Sequence, residues 1–341
     1  MAARTGISLK KRRFPRFLIL KHRLVQVLTA CIAMKLRANG IALEVEVNGD
    51  RADGQGRPRP AVLLIMGLGM QLTAWPLPLV NALVDAGYCV VRFDNRDVGL
   101  SHQFDALGTP NLLLESLKHK FGWRLKPPYT LHDMALDALG VLDALNIDQA
   151  HMVGVSMGGM IAQRVALVAP QRTLSLTSIM SSSSARHLPG PAPHIVRALL
   201  SRPAGRTEQA VIDHGVKLFT LISSPGFARD TAALRQQITA ATRRAHTPRG
   251  TARQMVAVVA DAARTADLHR ITAPTLVVHG KADVLIPFVC GEDTARRIPG
   301  ATLLGIDGMG HDLPAGVVAR LIEALPAHFR AAQAAWAPRA S

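Results

Sequence analysis

Ala150 to Leu167 reads AHMVGVSMGGMIAQRVAL. An apolar run enters Gly154-Val155-Ser156-Met157-Gly158, and a helix-forming run leaves it. This is G-x-S-x-G between a strand and a helix, the pattern of a nucleophile elbow. Chemistry accounts for the spacing. A serine hydroxyl is a weak nucleophile unless a base takes its proton and backbone N–H groups receive the oxyanion. A tight strand-to-helix turn projects the hydroxyl, but it forces the serine into a strained backbone region. The residues two before and two after crowd that turn, so both must be small, and Gly159 lets the helix start close to the sheet. Alone, the pentapeptide is a weak signal. With Gly and Ser each at roughly 7% of residues, chance supplies it in about one chain in ten of this length.

The surroundings strengthen it. Ala61–Met66 is a wholly apolar run, as a strand buried on both faces requires, and Tyr88–Phe93, Leu174–Met180, Thr275–His279 and Ala301–Ile306 repeat the pattern. Ile41–Val47 alternates like a half-buried strand. Helical periodicity lies between them over Leu77–Ala86, Thr130–Leu145, Gly291–Ile298 and Val317–Ala332. From about 185 to 265 the rhythm breaks: Pro189-Gly190-Pro191 opens a stretch of amphipathic segments, among them Asp230–Arg244 and Thr251–Ala263, without a clear strand. The expected fold is α/β, a doubly wound and mostly parallel sheet with a helical cap inserted after the sixth parallel-type strand. The core then comprises 41–184 and 266–335, the cap 185–265, and residues 1–40 a basic extension.

If Ser156 is the nucleophile, the chain must supply a histidine, an acid and two N–H donors, with the acid before the histidine in chain order. Among thirteen histidines, His311 in Gly308-Met309-Gly310-His311 follows the last strand directly and faces the elbow. Asp283 in HGKADVLIP sits at the end of the preceding strand, where it would orient the imidazole and stabilise the imidazolium. The strand end before that reads Ser181-Ser182-Ser183-Ser184 and offers no carboxylate; it reads as a loop wall. Asp312 points elsewhere if His311 faces Ser156. The oxyanion donors expected are the N–H of Met157 and that of Leu68, with Gly67 the alternative. Asp94 and Arg96 read as braces of the turn beneath the site rather than as an acid–base pair.

The formal charge of +16 suggests nucleic acid until it is located. Residues 1–40 hold ten Lys or Arg and no acid, leaving 16 − 10 = +6 over the remaining 301 positions, an ordinary balance for an enzyme. No nucleic-acid partner is expected. The uncharged run Leu24–Met34 is shorter than the roughly 20 residues that span a bilayer. The segment reads either as a helical extension or as a basic amphipathic helix making weak contact with a membrane surface. Cys31, Cys89 and Cys290 match no metal spacing and read as buried, reduced thiols of a cytoplasmic protein. Neither metal nor cofactor is expected.

The chain resembles the α/β-hydrolase superfamily, in particular small-molecule serine esterases of the aclacinomycin methylesterase and enol-lactone hydrolase type. The resemblance rests on Leu63–Pro76, RFDNRDVGLS (Arg92–Ser101), Met152–Gln163, Leu276–Pro287 and Gly308–His311, in family order. It implies a Ser156–His311–Asp283 triad, an acyl-enzyme and no cofactor. The mixed apolar cap suggests a medium-sized, fairly hydrophobic carboxylic ester as the substrate. Lactone hydrolysis, acyl transfer, peracid formation on the same triad, and a non-catalytic binding role remain open alternatives. One departure is Met66-Gly67, where the family usually carries His-Gly.

Overall fold

The computed structural model describes residues 31–336. In chain order these form β1 (Cys31–Ala38), β2 (Ile41–Asn48), β3 (Ala61–Ile65), α1 (Leu77–Asp85), β4 (Cys89–Phe93), α2 (Leu112–Lys120), α3 (Leu131–Ala144), β5 (Ala150–Val155) and α4 (Met157–Val168). They continue with β6 (Thr173–Ile179), α5 (Pro193–Leu199), α6 (Glu208–Ile222), α7 (Thr231–Arg244), α8 (Pro248–Ala260), β7 (Thr275–Gly280), α9 (Phe288–Arg297), β8 (Thr302–Ile306) and α10 (Ala315–Trp336).

The eight strands make one sheet in the order β1-β2-β4-β3-β5-β6-β7-β8. β1 and β2 pair antiparallel, as do β2 and β4, and every other pairing is parallel. β5 lies mid-sheet with all six residues buried, so its apolar run is what a doubly covered strand requires. Its side chains divide by the strand's period of two. Ala150 and Met152 join the core under α3 and α4, whereas Val153 and Val155 join the core under α1 and α10. Helix α3 starts where Thr130 and Asp133 exchange hydrogen bonds in a capping box. The long helical block α5–α8 follows the sixth strand in chain order, the fourth of the six that run parallel.

The first forty residues differ from expectation. Cys31–Ala38 is not part of an appendage; it is the edge strand, paired residue for residue with β2. Asn39-Gly40 closes the hairpin with both φ values positive, 47° and 79°, the geometry a two-residue turn needs. Cys31, at the exposed start of that strand, is solvent-facing, so only Cys89 and Cys290 are buried thiols. The rest of the extension, with the membrane contact expected of it, lies outside the described residues. Among the described residues, no helix is long and apolar enough to cross a membrane.

Candidate active site

Ser156 sits between β5 and α4 with φ 56° and ψ −120°, a conformation that residues other than glycine rarely hold. Its neighbours explain why the turn tolerates nothing larger. A Cβ on Gly154 would stand 2.0 Å from the Gly158 carbonyl oxygen, and one on Gly158 would stand 2.0 Å from that of Ile65. On Gly159 it would meet the Ser181 side chain at 2.6 Å. Ser181 Oγ in turn donates to the Ser156 carbonyl at 2.8 Å. The serine run therefore braces the elbow from the next strand.

His311 Nε2 lies 3.1 Å from Ser156 Oγ, and its Nδ1 lies 2.7 Å from Asp283 Oδ2. The carboxylate assigns the tautomer: Nδ1–H donates to Asp283, which leaves Nε2 free to accept the serine proton. The other oxygen of Asp283 accepts the backbone N–H groups of Leu285 and Ile286, both at 2.9 Å, so the carboxylate is fixed at both ends. His279 packs beside it. Burial pushes its pKa down, and its Nε2–H donates to the Ile286 carbonyl at 2.8 Å, so it adds no charge next to Asp283. The three residues singled out from sequence thus meet from loops after β5, β7 and β8. Asp312 turns away, accepting from the Ser224 N–H and hydroxyl.

The expected oxyanion loop lies against the elbow. A Cβ on Gly67 would come 3.2 Å from Ser156 Cβ. Asn95 Nδ2 donates to the Met66 carbonyl at 2.9 Å, the Gly69 N–H donates to Gln254 Oε1 at 2.9 Å, and the Met70 N–H donates to the Gly67 carbonyl at 3.2 Å. Leu68 N–H has no hydrogen-bond partner among the described residues. Met157 opens α4, so its N–H belongs to the helix end that has no carbonyl to serve.

Asp94 and Arg96 do brace the turn, through separate partners. Asp94 accepts the N–H groups of Leu72 at 2.7 Å and Leu100 at 2.9 Å, while Arg96 pairs with Asp137 of α3 at 2.6 Å. Asp97, with φ 68°, takes both prongs of the buried Arg253 from α8 at 2.7 and 2.8 Å. Arg244 of α7 reaches Asp94 at 2.6 Å, and Gln254 Nε2 donates to the Arg96 carbonyl at 2.7 Å. The block also touches the histidine loop: His311 N–H donates to the Ile222 carbonyl at 2.7 Å, and Gly310 N–H donates to Ser224 Oγ at 2.8 Å. Sequence reading missed Arg244, Arg253, Gln254 and Ser224. No group of three or more His, Cys, Asp and Glu among the described residues could hold a metal ion.

Residues 60–314 match the family described as alpha/beta hydrolase fold. The chain belongs to that family. Among curated relatives, this α/β-hydrolase is 32% identical over 301 residues to the rhodomycin D methylesterase DauP of Streptomyces sp. (strain C5), covering 82% of this chain and 95% of the relative. It is 31% identical to the rhodomycin D methylesterase DnrP of Streptomyces peucetius, with the same coverage. Among solved structures it superposes on the enol-lactonase from Burkholderia xenovorans LB400 with a TM-score of 0.61 at 20% identity, covering 87% of this chain and all of that one. It also superposes on 2-hydroxy-6-oxo-6-phenylhexa-2,4-dienoate hydrolase from Rhodococcus sp. strain RHA1, with a TM-score of 0.67 at 21% identity, covering 89% and 99%. At those identities the two structures speak for the fold.

Proposed function

We propose that this α/β-hydrolase cleaves a carboxylic ester through Ser156, His311 and Asp283. The observation that carries the reading is the unbroken chain Ser156 Oγ–His311–Asp283, at 3.1 and 2.7 Å, starting from a serine held in a strained turn. His311 Nε2 takes the serine proton as Oγ adds to the ester carbonyl, and Asp283 stabilises the imidazolium. The oxyanion lies on the N–H groups of Met157 and Leu68, with Gly67 the alternative to Leu68. The tetrahedral intermediate expels the alcohol, which leaves with the proton held by His311. Water, deprotonated by the same histidine, then adds to the acyl-enzyme and releases the acid.

Residues 185–265 act as the cap that selects the substrate, over a core of 41–184 and 266–335. The mixed apolar character of that segment supports a medium-sized, fairly hydrophobic ester, and the methylesterase relatives support a small alcohol as the leaving group. The test is a panel of activated esters of increasing acyl length on wild type and Ser156→Ala. The variant should lose kcat on the order of 10⁴-fold or more, as when a triad nucleophile is removed, while keeping its Tm. Labelling by a fluorophosphonate should stop as well. Wild-type turnover by Ser156→Ala refutes the mechanism.

A further inference from the structure

Helix α2 is turned the opposite way from a helix that packs on its own chain. Leu113, Leu114 and Leu117 are exposed, as is Phe121 one turn on, Leu113 at 70% and Phe121 at 65%. Positions 113, 117 and 121 are four apart and 114 lies three before 117, so these side chains share one face. The other face, with Leu112, Glu115 and Lys118, is half-buried, and the Glu115–Lys118 ion pair closes there at 2.6 Å. Beyond the helix Trp123 is 64% exposed, its ring 5.8 Å from that of Phe121. An amphipathic helix with its apolar side outward, continued by two exposed aromatic rings, is a contiguous apolar surface with no partner among the described residues.

Charge indicates which partner. Arg124 and Lys126 are exposed next to Trp123. Over 107–126 the chain carries Lys118, Lys120, Arg124 and Lys126 against the single acid Glu115, and over 1–30 it carries Arg4, Lys10, Lys11, Arg12, Arg13, Arg16, Lys21 and Arg23 against none. A second copy would bring the same positive charge to the same patch, which opposes self-pairing. We propose that this face docks the enzyme on an anionic phospholipid bilayer. Phe121, Trp123 and the α2 leucines enter the headgroup boundary, and Arg124 and Lys126 meet the phosphates. The docked surface stands one helix from the site. α2 packs on α8, where Arg253 donates to the Gly108 carbonyl at 2.6 Å and Gln254 holds the oxyanion loop. A hydrophobic ester dissolved in the bilayer would then reach the enzyme beside its cap.

Co-sedimentation of the full chain with phosphatidylcholine vesicles, with and without phosphatidylglycerol, tests the inference without recourse to turnover, so it stands or falls apart from the ester chemistry. Wild type should pellet with the anionic vesicles. The variant Leu113→Ser/Phe121→Ser/Trp123→Ser should bind about tenfold less or weaker still, and keep its p-nitrophenyl acetate turnover, because only exposed side chains outside the triad and its hydrogen-bonded supports are changed. Tryptophan emission should shift to the blue on adding anionic vesicles, and Trp123→Phe should abolish that shift. Failure of wild type to pellet, or equal binding by the triple variant, overturns the proposal. So does a dimer in sedimentation velocity that the triple variant dissolves, because the occupant is then a second copy.

Discussion

Two surfaces meet at Ser156, and different physics holds each. Beneath it, α4 buries nine of its twelve residues, and the distances there are set by atoms that would collide. No side chain can be added at Gly154 or Gly158 without striking a carbonyl oxygen. On the opposite side, α7 buries none of its fourteen residues and α8 five of its thirteen. Directional contacts join that block to the sheet: Arg244 to Asp94, Arg253 to Asp97, Gln254 to Gly69, Ser224 to Gly310. Exclusion admits one arrangement, whereas hydrogen bonds can be broken singly and remade. The position of Ser156 therefore belongs to the floor, whereas the block opposite is fastened by a few side chains.

The comparison fails first if removing a floor group from the reaction leaves kcat alone. Asp283→Asn should cut kcat on the order of 10⁴-fold with little change in Tm, because an amide no longer fixes the imidazole tautomer. Asp312→Asn, which touches only the Ser224 fastening, should act on Tm instead. Arg253→Ala tests the fastening itself. It leaves Asp97 buried without its partner and should cost about 3–5 kcal/mol of stability, measured by denaturant titration. Adding Asp97→Asn should restore part of that loss, and strict additivity would mean that the pair does not couple block to sheet. Gln254→Ala reaches across the divide more gently: about a tenfold fall in kcat with KM little changed, since Gly69 N–H loses its acceptor and the oxyanion loop its register.

The smallest effect separates the two sides by pH. His151 in β5 is buried against Phe329, and burial brings its pKa down to about 3 from 6.5. The folded state needs it neutral, so its contribution is complete above pH 6.5 and declines as pH falls toward about 3. Burial alone would raise Asp97; Arg253 and the Phe104 N–H outweigh it and hold the carboxyl below its ordinary 3.8. That contribution is complete above the ordinary value and disappears only in stronger acid. Wild-type Tm should thus decline from pH 6.5 to 4.5, less steeply in His151→Phe. The Tm deficit of Arg253→Ala should narrow as pH falls, because burial without the guanidinium raises the Asp97 carboxyl in the variant and protonation then relieves the unpaired charge.

The floor was readable before the structure because its constraints are local. The elbow pentapeptide, each apolar run of a doubly covered strand and a histidine directly after the last strand are each signals contained within a few consecutive positions, and the strand limits fall within one or two residues of those expected. The fastenings were not readable. Gln254 is 185 positions from Gly69, and Arg244 is 150 from Asp94, with no periodicity or motif to connect them. β1 was overlooked for another reason. Five of its eight residues face water and it follows a basic run, so it read as an appendage even though Asn39-Gly40 marks a hairpin. α2 escaped because its leucines point outward, where an apolar stripe is not expected.

Those long-range fastenings bear on how the enzyme can be remade. The proposed cap, residues 185–265, is continuous in sequence and invites transplantation from a relative. Its plugs are Arg244, Arg253 and Gln254, but the sockets, Asp94, Asp97 and the Gly69 N–H, sit in the recipient. A graft that brings its own arginines to a scaffold lacking both aspartates would strand buried cations at the seam. Compatible donors are those that match the recipient at these three sockets, whatever the identity elsewhere.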